Sequence, residues 1–327
     1  MRRRSMIGAG LAAGLSTMAG SVLAQGLAGK TLNLIVPYPA GGGSDINARL
    51  AAPELSRLLG QPAVVDNVPG ASGSLGVMKA ANGAADGSVL LMGSPMELML
   101  TPLTLASARY KAEDFRPIGM MAVTSMVLLA RKDLGPGSVD ELIAQLRKPD
   151  AKELSYGSIG PGSLYHLLGE RFTQQTGTKM LHVPYKGFAP IINDLLGGQI
   201  DLVFAPLAGN VPDLLDAGKV KALGIAAAAP HERFGAIPLI RASKGLDDFV
   251  YSLWAGAQVS QRVPEEAQQR LHVAFNEMMR KPELRRAIEL GGSKVAPEQT
   301  LAELRRGYQA DVERYRAIAK SVNLRPE

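Results

Sequence analysis

Short apolar runs alternate with amphipathic segments through most of the chain. The runs that are apolar along nearly their whole length, and that we predict to be strands, are residues 32–36, 62–65, 88–92, 118–131, 153–156, 180–185, 200–204 and 220–225. Between them, apolar residues recur at helical spacing, as Leu164, Leu167, Leu168 and Phe172 do before a stop at Gly177. Strands without polar alternation, separated by helices, predict mostly parallel sheets that are covered on both faces.

The last part of the chain has a different, helical pattern. It begins at Pro264, and in its final helix Leu301, Tyr308, Tyr315 and Val322 recur every seven residues. Two αβ halves are therefore followed by a helical block, which we predict to pack back on the sheet of the first half.

The first helix is predicted to begin at Ser44 or Asp45, either of which can act as its N-terminal cap, and to end at Gly60. Its predicted apolar face consists of Ile46, Leu50, Leu58 and Leu59. Pro53 lies inside this pattern, and a proline within a helix predicts a kink or a break, here near Ala52.

Residues 1–24 are typical of a secretory signal peptide. They contain a basic start at residues 2–4, an apolar run over residues 6–23 and small residues up to Ala24, after which we predict cleavage. A membrane anchor is the alternative, but glycine, serine and threonine interrupt the roughly 20 apolar residues that a bilayer-spanning helix needs. The paired arginines leave a twin-arginine export route open. We therefore expect an exported protein.

The composition excludes several kinds of site. The chain has no cysteine, which rules out disulfides, thiolate metal sites and cysteine nucleophiles. Half of its net charge of +6 comes from the arginines of the predicted signal peptide, and the other charges are dispersed, so we expect no nucleic-acid surface. The four histidines lack metal-pair spacing. Neither the P-loop nor the dinucleotide-binding glycine pattern is complete, so no cofactor is expected.

One stretch is suited to binding an anion. The strand at residues 32–36 is followed by prolines, by three glycines at 41–43 and by the start of a helix. Glycines leave backbone N–H groups unobstructed, and a helix start adds further free donors and the positive end of the helix dipole. The stretch therefore suits a negatively charged ligand, although the same glycines would also serve a tight strand-to-helix turn.

Four loops follow predicted strands at their carboxyl ends, where open αβ sheets bind ligands. They are residues 38–45, 93–95, 157–163 and 184–187. If two such edges face each other across a cleft, the helix starts at Ser44 and Ser163 point toward one ligand. A small molecule with one or two carboxylates matches these donors, and Ser94 and Pro95 join the predicted ligand-binding residues on this ground.

Several motifs follow one another along the chain. They are residues 36–45 (VPYPAGGGSD), 60–62 (GQP), 66–73 (DNVPGASG), 110–117 (YKAEDFRP), 156–163 (YGSIGPGS) with 166–167 (HL), 183–187 (VPYKG) and 196–201 (LGGQID). In this order they resemble the periplasmic receptors of tripartite tricarboxylate transporters, the Bug family.

The resemblance implies a fold of the α/β class, namely the two-lobed, type II-like fold of periplasmic binding proteins. Its two αβ domains have mostly parallel central sheets, are joined by two crossovers, and carry a C-terminal helical block packed on the first domain. We expect residues 25–124 and 253–327 to form domain 1 and residues 125–252 to form domain 2.

The resemblance also implies where a carboxylated solute binds in the cleft between the domains. On the first lobe it implies contacts at Tyr38, Gly42, Gly43, Ser44 and Asp45. On the second lobe it implies contacts at Ser158, Gly160, Gly162, Ser163 and His166, with Tyr185 and Lys186 at the rim. Lys186 is the cation expected nearest the ligand. Ala205 stands where the family commonly has an acidic residue, a departure that bears on which polar ligand groups are tolerated.

We therefore predict a periplasmic receptor that closes by a hinge motion around a small carboxylated organic solute and passes it to the permease subunits of a tripartite transporter. We expect it to act as a monomer, without metal or cofactor. Two alternatives stay open. One is an exported hydrolase or isomerase with His166, beside Ser163, or Asp45 as its base; the other is a receptor that serves signalling instead of transport.

Overall fold

The computed structural model describes residues 30–321. The predicted signal peptide and Val322 lie outside these residues. Among residues 30–321, no helix has both the length and the apolar character needed to cross a bilayer.

Strands and helices alternate through the first two thirds of the described chain. The strands are β1 (Leu32–Val36), β2 (Ala63–Asn67), β3 (Val89–Gly93), β4 (Phe115–Arg131), β5 (Leu154–Ser158), β6 (Met180–Pro184), β7 (Leu202–Pro206), β8 (Val220–Ala226), β9 (Ser252–Ser260) and β10 (Lys294–Val295). The helices are α1 (Gly43–Leu59), α2 (Ser74–Ala81), α3 (Thr101–Thr104), α4 (Val139–Leu146), α5 (Leu164–Thr176), α6 (Phe188–Leu196), α7 (Val211–Asp216), α8 (Glu265–Met279), α9 (Pro282–Leu290) and α10 (Leu301–Ser321). A π-helical turn over Met96–Leu100 leads into α3.

The strands form two groups that share β4. In the first group β1 pairs in parallel with β2 and β3, and β9 pairs antiparallel with β3 and with β4 up to Ser125. In the second group β5 pairs in parallel with β6 and β7, and β4 pairs antiparallel with β7 and β8 from Met126 onward. The predicted α/β class with largely parallel sheets is confirmed, and β4 is the long strand that changes its neighbours halfway.

The antiparallel strand β9 was not predicted from the sequence. Its sequence, SLWAGAQVS, has few β-branched residues, so it lacks the apolar run by which the other strands were recognised. Gly256 explains part of this composition, since a Cβ there would lie 2.3 Å from the carbonyl oxygen of Gly119 on β4. Position 256 must therefore be glycine because two backbones pack closely there, and not because of side-chain hydrophobicity.

Helix α1 differs from its prediction in three respects. It is continuous from Gly43 to Leu59 although Pro53 lies inside it, and its N-terminal cap is Gly42 rather than Ser44 or Asp45. Pro53 is exposed, so the carbonyl that loses its partner faces water, and the predicted break near Ala52 does not occur. The buried face also differs from the predicted one, because Ile46 is 42% exposed. The buried residues of α1 are Asp45, Ala48, Ala51, Ala52, Leu55 and Leu59.

The C-terminal helices pack against the first group of strands, as predicted. Leu271, Phe275 and Met278 of α8 are buried in one core cluster with the apolar residues of α1 and β1. On α10 the seven-residue spacing marks the buried face, and the hydroxyl of Tyr308 donates to the carbonyl of Ala112 at 2.8 Å. The terminal helical block therefore covers the sheet on which the candidate site is built.

Candidate functional site

The loops singled out at the strand ends lie at two sheet edges. Tyr38 follows β1 and Ser94 follows β3, and these two strands are parallel neighbours, so both loops leave the same edge. Ser158 ends β5 and Tyr185 follows β6, a second parallel pair, so they share another edge. We call the sheet edge with Tyr38 and Ser94 the first edge, and the sheet edge with Ser158 and Tyr185 the second edge. The first also includes residues 70–73 and 95–104, because Glu97 bonds to Tyr38 and Ser94, and Thr101 bonds to Ser72.

The two edges approach each other closely. A Cβ placed on Gly162 of the second edge would lie 2.1 Å from the Cβ of Thr104 on the first. A Cβ on Gly160 would lie 3.7 Å from the hydroxyl oxygen of Ser72. Burial is the main cause that raises the pKa of Tyr38, and Tyr165, in the first turn of α5, adds a small contribution. The loops from the two groups of strands therefore face each other, which is the arrangement expected of a cleft between two lobes.

Free backbone donors lie at the first edge. The amides of Gly42 and Gly43 donate no hydrogen bond to any residue between 30 and 321, and both glycines are exposed at the start of α1. Ser44 follows them in the first turn, where an amide has no intrahelical partner. The predicted anion-binding site depends on these amide groups.

Asp45, which was predicted to contact the ligand, is engaged within its own lobe. Its carboxylate is 3% exposed and accepts hydrogen bonds from the amide of Gly41 at 2.8 Å, from Arg49 Nε at 2.9 Å and from Asn67 Nδ2 at 3.0 Å. Burial alone would raise the pKa of Asp45, but these bonds outweigh it and hold the pKa below its usual 3.8. Asp45 therefore shapes the glycine loop through three hydrogen bonds formed within its own lobe.

We expect Asp45→Asn to lower the free energy of unfolding by about 1–3 kcal/mol near pH 7, because an amide cannot accept from all three donors. A lowered pKa means that the carboxylate stabilises the fold at pH values above 3.8 and that this contribution is lost as the pH falls further. Urea unfolding at neutral and acidic pH measures both effects. A deficit that stayed constant down to about pH 3 would contradict the assigned role of the charge.

A buried carboxyl group, Glu97, connects the loops of the first edge. Its side chain is fully buried and accepts from the backbone amide of Ser94, from the Ser94 hydroxyl at 2.7 Å and from the Tyr38 hydroxyl at 2.9 Å. Its Cβ lies 2.8 Å from the position that a Cβ on Gly73 would take. Burial raises the pKa of Glu97 above its usual 4.5, against the opposing effect of these hydrogen bonds.

Tyr38 and Ser94, both predicted site residues, are thus oriented by a side chain that was not predicted. Burial, followed by the nearby Glu97 carboxyl, raises the pKa of Tyr38 well above 10.0, so its phenol keeps its proton. Pro95 directly precedes the turn that carries Glu97. The sequence did contain a signal for Glu97, since it is the single charged residue in a largely apolar stretch over residues 95–106.

On the second edge, the amides of two predicted glycines are already hydrogen-bonded. The amide of Gly160 donates to the hydroxyl of Ser158 at 3.0 Å, and that of Gly162 donates to Nδ1 of His166 at 3.0 Å. Ser163 caps α5, accepting from the amide of His166 and donating to the carbonyl of Gly160 at 2.7 Å. Ser158, Gly160, Gly162, Ser163 and His166 thus form one internally bonded loop. The positive φ of Gly160 (119°) and Gly162 (74°) explains why glycine is needed at both positions.

A second histidine, His182, belongs to this loop and was not predicted. Its ring stacks on that of His166 with the centroids 4.1 Å apart, and its Nε2 lies 2.7 Å from the hydroxyl oxygen of Ser158. Burial, with a smaller contribution from His166, lowers the pKa of His182 to about 4. A residue with this pKa is a weak base near pH 7. Nδ1 of His166 accepts from Gly162, so it too is occupied.

The two predicted rim residues differ in their surroundings. The hydroxyl of Tyr185 donates to Asp194 at 2.7 Å, which fixes it within the second lobe. Lys186 is exposed and forms no ion pair with any residue of the described chain. Among residues 30–321 no group of three histidines or acidic residues is arranged to hold a metal ion.

The loop at residues 70–73 carries unusual backbone geometry beside the cleft. Ala71 (φ 47°) and Ser72 (φ 52°) are the non-glycine residues of the described chain with positive φ, and the Thr101 hydroxyl donates to the carbonyl of Ser72 at 3.0 Å. Conformations of this kind are held only by their surroundings and cluster at functional sites. The sequence marked this loop as glycine-rich, but its position at the cleft depends on the fold.

The fold, with two facing glycine-rich edges, defines the class: the chain has the architecture of periplasmic binding proteins. Residues 47–324 match the tripartite tricarboxylate transporter family receptor, and the chain belongs to this family. Its sequence is 33% identical over 312 residues to the protein BugT of Bordetella pertussis, a match that covers 93% of this chain and 92% of BugT. The resemblance drawn from the motifs is thereby confirmed.

Two solved structures from Rhodopseudomonas palustris show the same fold with a ligand. Rpa4515 with adipate has a TM-score of 0.82 and 28% identity, with 91% of this chain and 98% of that chain covered. MatC with bound malate has a TM-score of 0.80 and 27% identity, with 88% and 98% covered. The family consists of solute-binding receptors, and the chain is accordingly a receptor and not an enzyme.

Proposed function

We propose that this protein captures a small carboxylated organic solute between its two edges and delivers it to the permease subunits of a tripartite tricarboxylate-type transporter. The observation that carries the proposal is the pair of unengaged amides at Gly42 and Gly43, at the start of α1 and at the edge that faces Gly160 and Gly162. Amides at a helix start attract a carboxylate without any formal positive charge. That relatives hold adipate and malate supports this chemistry.

We also propose that capture involves hinge closure of two lobes, residues 25–124 with 253–327 and residues 125–252. The change of partners along β4, between Ser125 and Met126, and the start of β9 at Ser252 support crossovers at these positions. The ligand-facing residues on the first lobe are then Tyr38, Gly42, Gly43 and Ser44. On the second lobe, Leu164 and Tyr165 in the first turn of α5 supply amides in place of Gly160 and Gly162, while Lys186 lies at the rim.

Two further parts of the proposal concern the cell. Residues 1–24 act as a cleaved signal peptide that sends the protein to the periplasm, where the receptor acts as a monomer. The permease recognises the surface that the two lobes form together when the receptor is closed.

We expect Gly43→Val to weaken carboxylate binding by about tenfold or more, because the side chain covers the amides and a hydrogen bond to a charged group is lost. A Cβ at Gly43 meets no atom within 4 Å, so the unliganded fold should tolerate the change. A thermal-shift screen of organic acids on the wild type identifies the best binder, and calorimetry with that acid compares the variants.

Gly307→Val is the matched control, because Gly307 also lies in a helix, on α10, with no atom within 4 Å of an added Cβ. It should bind as the wild type does. If Gly43→Val folded normally and retained wild-type affinity, the glycine loop would not be the site that binds the carboxylate.

A further inference from the structure

The glycine loop, residues 38–45, is held at both ends by one side chain of the neighbouring strand. Asn67 Nδ2 donates to the carbonyl oxygen of Tyr38 at 3.1 Å, where the loop begins, and to Asp45 Oδ1 at 3.0 Å, where the loop ends. Arg49 completes the arrangement, because its Nη2 donates to Asn67 Oδ1 at 3.4 Å and its Nε donates to Asp45 Oδ2 at 2.9 Å. The three side chains therefore form a closed ring of hydrogen bonds beside the loop.

These neighbours fix the orientation of the Asn67 side-chain amide. A backbone carbonyl and an ionised carboxylate only accept hydrogen bonds, and a guanidinium only donates them. The NH₂ group of Asn67 must therefore face Tyr38 and Asp45, while its oxygen faces Arg49. Both N–H donors of Asn67 are engaged in this way, so the side chain acts on the site through the loop and has no N–H left to donate to a solute.

Asn67 is in turn fixed by the sheet. It is the last residue of β2 and lies opposite Val36, the last residue of β1, in the parallel pairing of the two strands. The amide of Val68 also donates to the carbonyl of Val36 at 2.8 Å. The chain leaves β1 at Val36 and enters the glycine loop two residues later. The bonds of Asn67 thus extend the constraint of the sheet into a loop that has no strand pairing of its own.

The two amides assigned to the solute lie between restrained points. Asp45, which is bonded to Asn67, accepts from the amide of Gly41 at 2.8 Å, and α1 begins at Gly43. Glycine loses more conformational freedom on ordering than any other residue, and three of them follow one another here. Restraining them in the unliganded protein removes that cost from the binding step, which raises affinity.

We infer that Asn67 is a positioning residue of this receptor: by donating to both ends of the glycine loop, it holds the amides of Gly42 and Gly43 in a carboxylate-binding geometry before the solute arrives. The inference rests on the proposed function and goes beyond it, since Asn67 acts through the loop. A side chain that only filled space could be exchanged for an isostere. A side chain that acts by donating hydrogen bonds could not.

Asn67→Asp and Asn67→Ala separate donation from packing. Aspartate has the shape of asparagine but sets oxygen atoms against the Tyr38 carbonyl and the Asp45 carboxylate, whereas alanine leaves both acceptors to water. Arg49 offsets only part of this repulsion, because its side chain is 57% exposed. We expect calorimetry with malate and with adipate to show affinity losses of about threefold or more for Asn67→Ala and about tenfold or more for Asn67→Asp.

The loss in Asn67→Asp should also depend on pH when each affinity is divided by that of the wild type at the same pH. Protonation returns an O–H donor to the introduced carboxyl group, so the loss should be smaller at about pH 5 than at about pH 8. The loss in Asn67→Ala should stay constant. The other charged and titratable groups around this position, common to all variants, are Tyr38, Asp45, Arg49 and the pair of Asp66 with Lys79 at 2.7 Å.

Hydrogen exchange of the Gly41 amide, followed by NMR, tests the restraint without any solute. The bond to Asp45 protects this amide, and we expect its exchange to accelerate about tenfold in both variants. Asn33→Asp is the matched control. Asn33 is also half-buried, lies on β1 of the same sheet, and donates to the carbonyl of Thr31 at 3.4 Å, away from the loop. It should leave both affinity and exchange unchanged.

The outcomes for Asn67 and for the proposed function can be told apart. The inference would be overturned if Asn67→Asp bound the acids as tightly as Asn67→Ala or more tightly, or if the Gly41 amide exchanged at the wild-type rate in both variants. Binding by the wild type would then leave the proposed function standing. If the wild type bound neither acid nor any carboxylate of a wider screen, the proposed function would fail, and the exchange of Gly41 would still decide whether Asn67 holds the loop.

Discussion

Replacing Gly162 with alanine is expected to weaken solute binding at least about a hundredfold while both lobes stay folded. The added Cβ would lie 2.1 Å from the Cβ of Thr104 and within 2.5 Å of both atoms beyond it, so the two edges could not approach as they do here. Backbone strain contributes as well, because Gly162 has a φ of 74°. The variant should remain open, and small-angle scattering should show no compaction when a solute that compacts the wild type is added.

Two further variants separate the steric contact from the backbone strain. Gly160→Ala introduces the same side chain at a less favourable φ of 119°, but its Cβ would meet only the Ser72 hydroxyl oxygen at 3.7 Å. It should therefore bind more tightly than Gly162→Ala. Adding Thr104→Gly to Gly162→Ala removes the contact and should restore part of the affinity. If Gly160→Ala were the weaker binder and Thr104→Gly restored nothing, strain within the loop, not closure, would explain the loss.

Local signals in the sequence predicted the elements that carry the site. Gly60 and Gly177 end α1 and α5 in the left-handed conformation, with φ values of 69° and 64°, as their positions after apolar helical patterns indicated. Ser163 caps α5 as its place before the pattern suggested. Such features depend on a few neighbouring residues, which is why the sequence alone was sufficient to locate two glycine-rich loops at strand ends.

Which groups in those loops remain available could not be predicted, because this depends on distant residues. Gly160 and Gly162 have amides like those of Gly42 and Gly43, but a serine and a histidine of their own loop occupy them. Asp45 has the charge and the position of a ligand contact, yet Asn67 from the end of β2 accounts for one of its oxygens. A motif therefore locates a loop, whereas the hydrogen bonds formed on folding decide which donors are free.

Glu97 is a group that the sequence did not predict and that the site nevertheless depends on. It lies in an apolar turn at a distance in sequence from Tyr38 and Gly73, and only the fold brings the three together. Its carboxyl group bonds with a residue of the β1 loop and a residue of the β3 loop, and its Cβ fills the space beside the glycine that precedes α2. A single buried group thus sets the relative positions of three loops at the first edge, and its removal should affect all of them.

We expect Glu97→Ala to lower the free energy of unfolding by about 3 kcal/mol or more, because it leaves a cavity and three donors without an acceptor. Glu97→Gln should be far milder. Its carbonyl can accept from the Ser94 amide, and its NH₂ can donate to the oxygens of Tyr38 and Ser94, which reproduces the bonds of a protonated carboxyl group. Urea unfolding of the wild type and both variants measures these differences.

The pH dependence tests whether the carboxyl group is protonated in the folded protein. With a pKa raised above 4.5, the group stabilises the fold most below that pH, and the contribution is lost as the pH rises through the raised pKa. The wild type should therefore lose stability relative to Glu97→Gln as the pH rises above 4.5. If the wild type instead gained on the glutamine variant over this range, the three donors would outweigh burial, and an ionised Glu97 would hold the first edge together.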